Sequence, residues 1–246
     1  YFWPFVIDSI TFVLIAFSPF YLLVNRPGKA EHNGKKLKVM EGYRVIVASP
    51  LIRSLVILVF VFILSIGVIN VADIFFITKT LKATPFQYGL TGTAFSVGSI
   101  GGALLASALK VKLNRQALLT VFAMIGIGGV FLAISMSTTW WPILIYLAIG
   151  GVANSALNSW GVGLMFAKTD DVTRGRLGGA VQSLFATGSI VALMLGGLTI
   201  DYFGAREVIF FASIAGLIAV AIFGPLLLRA NNKAFAEAAL QEATSS

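Results

Sequence analysis

Seven stretches of this chain are long enough to cross a lipid bilayer and almost free of charge. Five of them, 87–109, 116–137, 140–167, 177–200 and 208–228, hold no charged residue; two more, 2–24 and 54–78, hold one acid each, Asp8 and Asp73. A helix needs about 20 apolar residues to span the hydrocarbon. Backbone inside that hydrocarbon must satisfy its own hydrogen bonds, which leaves only helices and closed barrels. Barrel strands are about 10 residues long and alternate apolar with polar, whereas these runs are longer and apolar on every side. The expected fold is therefore all-α, a polytopic membrane helix bundle embedded in a lipid bilayer.

The breaks between the runs have recognisable chemistry. Arg26-Pro27-Gly28 stops the first, Lys82-Ala83-Thr84-Pro85 parts the second from the third, and Gly204-Ala205-Arg206 parts the last two. Thr138-Thr139 joins two runs almost directly, so those helices should be antiparallel neighbours. Of the 18 Lys and Arg residues, fifteen fall in alternate connections: 25–53, 110–115, 168–176 and the tail. Positively charged loops stay cytoplasmic. The chain is thus expected to start outside and end inside a cell (inner) membrane.

Composition narrows the chemistry further. Hydrophobic residues make up 58% and charged residues 11%, against about 25% charged in soluble domains. There is no Cys, which removes disulfides, thiolate metal sites and Cys nucleophiles. The single His, His32, lies in a polar stretch with no second ligand at metal spacing. The net charge of +8 sits in short loops, the pattern of a membrane protein's inner face and not of a nucleic-acid binder. No cofactor or metal is implied, and the chain is not expected to be an enzyme. Residue 1 is Tyr and an apolar run begins at once, so the chain is expected to be part of something longer.

The longest polar stretch, 25–53, separates one leading helix (1–24) from six later ones (54–228), with a cytoplasmic tail at 229–246. Within it, Leu37 to Val47 is expected to form a short helix along the membrane surface. The segment Glu41-Gly42-Tyr43-Arg44-Val45-Ile46, followed by Ser49-Pro50-Leu51-Ile52-Arg53-Ser54-Leu55, resembles the central loop of the major facilitator superfamily. More narrowly, it is similar to the branch of enterobactin-type and macrolide-type exporters. Asp8-Ser9-Ile10-Thr11-Phe12 resembles the helix that ends the first half in that branch, and Arg174-Gly175-Arg176-Leu177-Gly178-Gly179 the start of its eleventh helix. The resemblance implies helices 6 to 12 of a twelve-helix transporter, with an N-terminal helix bundle as partner, a small-molecule substrate, and protons as the coupling ion.

Gly197, Asp201, Gly204 and Arg206 fit G-x-x-x-D-x-x-G-x-R, a loop motif of that superfamily. The loop after 87–109 keeps basic residues but lacks the Asp. Gly98-Ser99-Ile100 and Gly188-Ser189-Ile190 occupy corresponding helices of two three-helix repeats, as nested inverted repeats would place them.

Polar residues at membrane depth carry the functional weight. Asn154 and Asn158 share one helix face and read either as the polar wall of a substrate cavity or as interhelical hydrogen-bond glue; Ser155 and Ser159 lie on an adjacent face. Asn70 and Asp73 share a face near the outer end of 54–78. Asp73 is either a rim acid or a carboxylate for proton coupling or cation binding. Gln182 sits near the inner start of 177–200, and Asp8 reads as structural. Gly98 and Gly102 form G-x-x-x-G, and Gly126, Gly128, Gly129, Gly150 and Gly151 crowd two further helices, all fit for close backbone approach. Trp140 and Trp141 read as interface anchors.

The expected function is secondary active transport, efflux by alternating access. A seven-helix receptor is the alternative with matching topology, but 208–228 offers no Lys for a Schiff base and the chain no Cys staple. A non-transport membrane subunit is the remaining alternative.

Overall fold

The computed structural model describes residues 2–21, 40–109, 111–167, 169 and 171–245. His32 and residues 22–24 lie outside them. The leading segment forms a unit of its own, a helix α1 at Phe2–Tyr21; the Thr11 hydroxyl bonds back to the Ile7 carbonyl at 2.9 Å. The second unit holds a short helix α2 (Met40–Ala48) and six long ones: α3 (Pro50–Phe75), α4 (Pro85–Ala108), α5 (Leu113–Ser135), α6 (Trp141–Phe166), α7 (Asp171–Phe203) and α8 (Ala205–Ser245). Among the described residues there is no strand, and six helices are long and apolar enough to cross a membrane.

Helix starts follow their cap residues. Ser49 accepts from the Ile52 amide at 3.4 Å, ahead of Pro50. Thr84 and Gln87 form a reciprocal capping box ahead of Pro85, satisfying two amides that would otherwise be orphaned. At its other end α3 widens into a π-helical turn, Phe76–Thr80, and the chain reverses through Lys82 with φ 55°. Two helices outrun their apolar stretches furthest. Helix α7 starts at Asp171 and α8 runs on to Ser245, because helical hydrogen bonding does not end where hydrocarbon does and the Ala-rich tail favours helix. The short helix expected at Leu37 to Val47 spans Met40–Ala48; residues 37–39 lie outside the described set.

Neighbouring helices form the series α4, α6, α5, α8, α3, α7. Exchanging α3–α5 with α6–α8 maps the pair α4·α6 onto α7·α3, maps α5·α6 onto α8·α3, and returns α5·α8 to itself. That is the contact pattern of two three-helix repeats. The sequence match behind it extends to Phe95-x-x-Gly98-Ser99-Ile100 and Phe185-x-x-Gly188-Ser189-Ile190. Helix α5, in the middle of the series, is the most buried; α4 and α7, at its ends, are the least.

Small residues set the closest approaches. A Cβ at Gly98 would overlap the Ala148 carbonyl, one at Gly102 would stand 2.6 Å from Val152 Cα, and one at Gly151 would overlap the Phe95 carbonyl. Thus α4 and α6 touch backbone to backbone, as the G-x-x-x-G spacing predicts. Gly128 receives Leu217 and Gly126 lies by Ala153, whereas Gly129 faces open space. The Ser155 hydroxyl donates to the Ser99 carbonyl across the α4·α6 seam at 2.7 Å.

Candidate functional site

The connections α2–α3, α4–α5 and α6–α7 lie at one end of the bundle, called here the basic end; α3–α4, α5–α6 and α7–α8 lie at the far end. A pocket of about 300 Å³ lies in the part of the bundle near the far end, beside the α3–α4 connection. Its walls are Asn70 and Asp73 of α3, Tyr88, Thr91 and Phe95 of α4, Phe131 of α5 and Leu147 of α6. The capping box at Thr84–Gln87 fixes where α4 begins, and so carries Tyr88 and Thr91 to the pocket. The carbonyl oxygen of Tyr88, one turn on, accepts a hydrogen bond from the Thr91 hydroxyl at 2.6 Å.

Asp73 is the distinctive group. Its side chain is half-buried, yet its Oδ1 is sealed from solvent and accepts no hydrogen bond from any described residue. Among the described residues no Lys or Arg pairs with it: Lys79 lies over the Phe75 ring at 4.7 Å, and Arg206 is taken up elsewhere. One carboxylate oxygen is thus enclosed while the side chain as a whole is half-buried.

Asn70 is exposed and reaches the same pocket. Asn154 and Asn158 lie on the α6 stripe that begins at Leu147, by helical periodicity. The Asn158 amide donates to the Asn154 carbonyl at 2.9 Å and to the Asn154 Oδ1 at 3.1 Å, both within α6. The bond that crosses between helices here belongs to Ser155. Asn158 and Ser159 are exposed. Gln182 is exposed on α7, beside Ser183.

The candidate loop motif divides. Gly204 adopts φ +85°, the left-handed region that favours glycine. Arg206 donates to the Ser135 carbonyl at 2.7 Å and the Ser137 carbonyl at 2.9 Å, and its guanidinium lies 5.0 Å from the Phe76 ring centroid. It thereby caps the last turn of α5, whose carbonyls lack helical partners, and ties α3, α5 and α8 together. Asp201 is exposed, and Gly197 faces open space. Trp140 and Trp141 stack at 4.0 Å between ring centroids at this same end.

Two of the quoted segments turn out to be one joint at the basic end. Glu41 pairs with Arg176, Gly42 packs on the Arg176 carbonyl, and the Tyr43 hydroxyl meets the Ser183 hydroxyl at 2.6 Å. Ile46 of α2 joins Ile52 and Val56 of α3 and Leu177, Ala180 and Val181 of α7 in one apolar cluster. Tyr88, Thr91 and Phe131 were not singled out by sequence. The signal that existed was the Thr84-Pro85-x-Gln87 cap, which places Tyr88 in the first turns of α4.

A larger groove of about 540 Å³ between α3, α7 and α8 is lined by Leu64, Val68, Leu195, Phe203 and Phe211, with only Ser65 and Thr199 as hydroxyls. The Asp73 pocket is smaller but holds the charge.

These features define a multi-pass membrane protein, an all-helical bundle with a carboxylate held inside it. The sequence pattern of the Major Facilitator Superfamily matches residues 55–244. The chain belongs to that superfamily of membrane transporters. No curated protein and no solved structure matches it.

Proposed function

We propose that this chain supplies the second half of a secondary active exporter of small molecules, working by alternating access, in the branch of enterobactin-type and macrolide-type exporters. Residues 1–24 are then the last helix of the first half, 25–53 the cytoplasmic linker, 54–228 the second bundle and 229–246 the tail. The basic end faces the cytoplasm of a cell inner membrane, as the Lys and Arg distribution supports. The uncovered faces of α4 and α7, with Val97, Ile100 and Leu104 on one and Ile190, Met194 and Leu198 on the other exposed, meet the preceding six-helix bundle and lipid. Asn70, Asn154, Asn158 and Gln182 line the substrate path. Asp73 is the titratable group through which a proton gradient is coupled.

The observation that carries this reading is the Asp73 Oδ1, sealed among membrane-spanning helices and unbonded. Such a carboxylate is costly in hydrocarbon and marks a binding or relay position. The test is export from inverted membrane vesicles holding the full-length protein, energised by a proton gradient and offered a panel of siderophores, macrolides and dyes. At least one solute should accumulate in a gradient-dependent manner, and Asp73→Asn should lower that accumulation about tenfold or more while leaving the protein monodisperse. Accumulation unchanged by collapsing the gradient, or unchanged in the variant, would overturn the reading.

A further inference from the structure

We propose that the far-end pocket around Asp73 is a seat for a compact organic monocation, a protonated amine or quaternary ammonium group. The inference deepens the transport reading and rests on it, since the cation would be the charged part of a transported solute.

Charge argues for it first. Asp73 is the single acid lining the pocket and has no described basic partner. One carboxylate in surroundings this apolar balances one positive charge. A divalent metal is a poor match: calcium takes six to eight oxygen ligands, several of them carboxylates, and among the described residues no group of acids and His is arranged to hold a metal.

The rest of the lining separates an organic cation from a small inorganic one. Phe95 and Phe131 bring aromatic rings to the same pocket, and Tyr88 a third. Ring faces attract ammonium groups within about 6 Å, most strongly when water is excluded, and quaternary ammonium ligands are recognised in this way. A sodium ion would have to give up its water to these rings and would gain only the oxygens of Asp73, Asn70, Thr91 and Tyr88. A quaternary ammonium, its charge wrapped in alkyl groups, gives up less water than sodium and is attracted by ring faces and carboxylate together. A protonated amine, more strongly hydrated, regains hydrogen bonds to Asp73 and Asn70. Asn70, exposed on the pocket wall, can accept a hydrogen bond on its Oδ1 from an N–H donor. The volume of about 300 Å³ lies at the small end of ligand pockets, enough for one ammonium head with an attached ring.

The test is equilibrium binding of radiolabelled benzyltrimethylammonium to the protein in lipid nanodiscs, with no gradient present. Its uncharged isostere, neopentylbenzene, is the competitor. Saturable binding is expected, with affinity reduced tenfold or more by Asp73→Asn and several-fold by Phe131→Leu, and largely retained in Asp73→Glu. Neopentylbenzene should displace little label. Absence of saturable binding, an Asp73→Asn protein that is monodisperse and binds like the wild type, or displacement by the isostere as effective as by unlabelled cation would each overturn the inference. Export is scored separately in vesicles. Export of some solute without cation binding removes this inference and leaves the transport reading standing. Cation binding without any export removes the transport reading, and with it the claim that the cation is a transported solute, leaving only the binding seat.

Discussion

The two three-helix repeats of this bundle share a contact pattern but close it by different means. In the α4·α6 seam the hollows are Gly98 and Gly102 on α4 and Gly151 on α6, and the neighbour at each is main chain. In the matching α7·α3 seam the hollows are Gly188, facing the Phe60 ring edge, Gly67, which receives the Ala192 methyl, and Gly196, which meets the Val71 side chain. Ala192 stands where Gly102 stands in the other repeat, and Gly67 where Val152 stands. Counting equally far along α3 and α6 from that pair brings Asp73 opposite Asn158 in the repeat. Their surroundings differ in the same sense. The start of α4 leaves a pocket open beside Asp73, whereas the corresponding start of α7 is covered by α2. One geometry has been used twice, once tightened on backbone with an open charged pocket, once packed on side chains under a clasp.

The seams give the largest expected contrast. Gly98→Ala puts a methyl group into the Ala148 carbonyl, and neither backbone can yield without moving a whole helix. A loss toward 3 kcal/mol or beyond is expected, in the upper range for overpacking. Gly188→Ala meets the Phe60 ring edge at 2.9 Å, and a ring can turn; about 1 kcal/mol is expected. Thermal melting and the monodisperse fraction in detergent measure both. Equal losses would show that the two seams are not built differently.

The pair α5·α8, which the repeat maps onto itself, offers a second contrast. Its far end is tied by Arg206, with two charge-assisted bonds to Ser135 and Ser137. Its basic end is tied by Asn231, buried, with one neutral bond to the Asn114 carbonyl at 2.8 Å. Arg206→Met is expected to cost about 2 kcal/mol, since bonds to charged groups are worth about 1.5–3 kcal/mol each and this guanidinium is partly exposed. Asn231→Leu is expected to cost about 1 kcal/mol or less, because the Asn231 Oδ1 is already buried without a partner and the substitution removes that group as well. A melting curve in which Asn231→Leu is the more damaging would reverse the assignment of the stronger tie.

How much of this was readable beforehand follows from which interactions are local. The long apolar runs and the alternation of basic loops place the membrane-spanning helices, because hydrocarbon imposes length and charge rules on each segment by itself. The G-x-x-x-G at Gly98 and Gly102 was legible for the same reason, though its partner, α6, was not. Asp73 stood out as an acid in an apolar run, but Tyr88, Thr91 and Phe131 did not. The pocket exists only where α3, α4, α5 and α6 meet, and nothing in any one segment marks that meeting. Glu41 and Arg176 were each part of a quoted motif, yet their pairing spans most of the chain. Helix ends are not set by the apolar run: α7 begins six residues before 177, at Asp171, and α8 runs past 228 to Ser245. Hydropathy reports the solvent, while caps and propensity decide where the helix stops. The equivalence of Asp73 and Asn158 was hidden because it is an offset between helices, fixed only once Gly102 and Gly67 are seen to face their partners.

The smallest expected effect concerns the clasp that covers α7. The Glu41–Arg176 pair has side chains 36% and 39% exposed, and exposed pairs contribute under about 1 kcal/mol. Glu41→Gln should therefore leave the melting temperature of the bundle almost unchanged. Its effect should appear locally, as faster amide hydrogen exchange over 40–48, because the remaining hold is the Tyr43–Ser183 hydrogen bond and the apolar contact at Ile46. Adding Tyr43→Phe should raise exchange there further, while the start of α4, which has no such cover, keeps its wild-type exchange. If the double variant exchanged over 40–48 as slowly as the wild type, the apolar cluster at Ile46, Leu177 and Ala180 alone would hold α2. The two repeats would then differ by hydrophobic cover and not by a polar clasp.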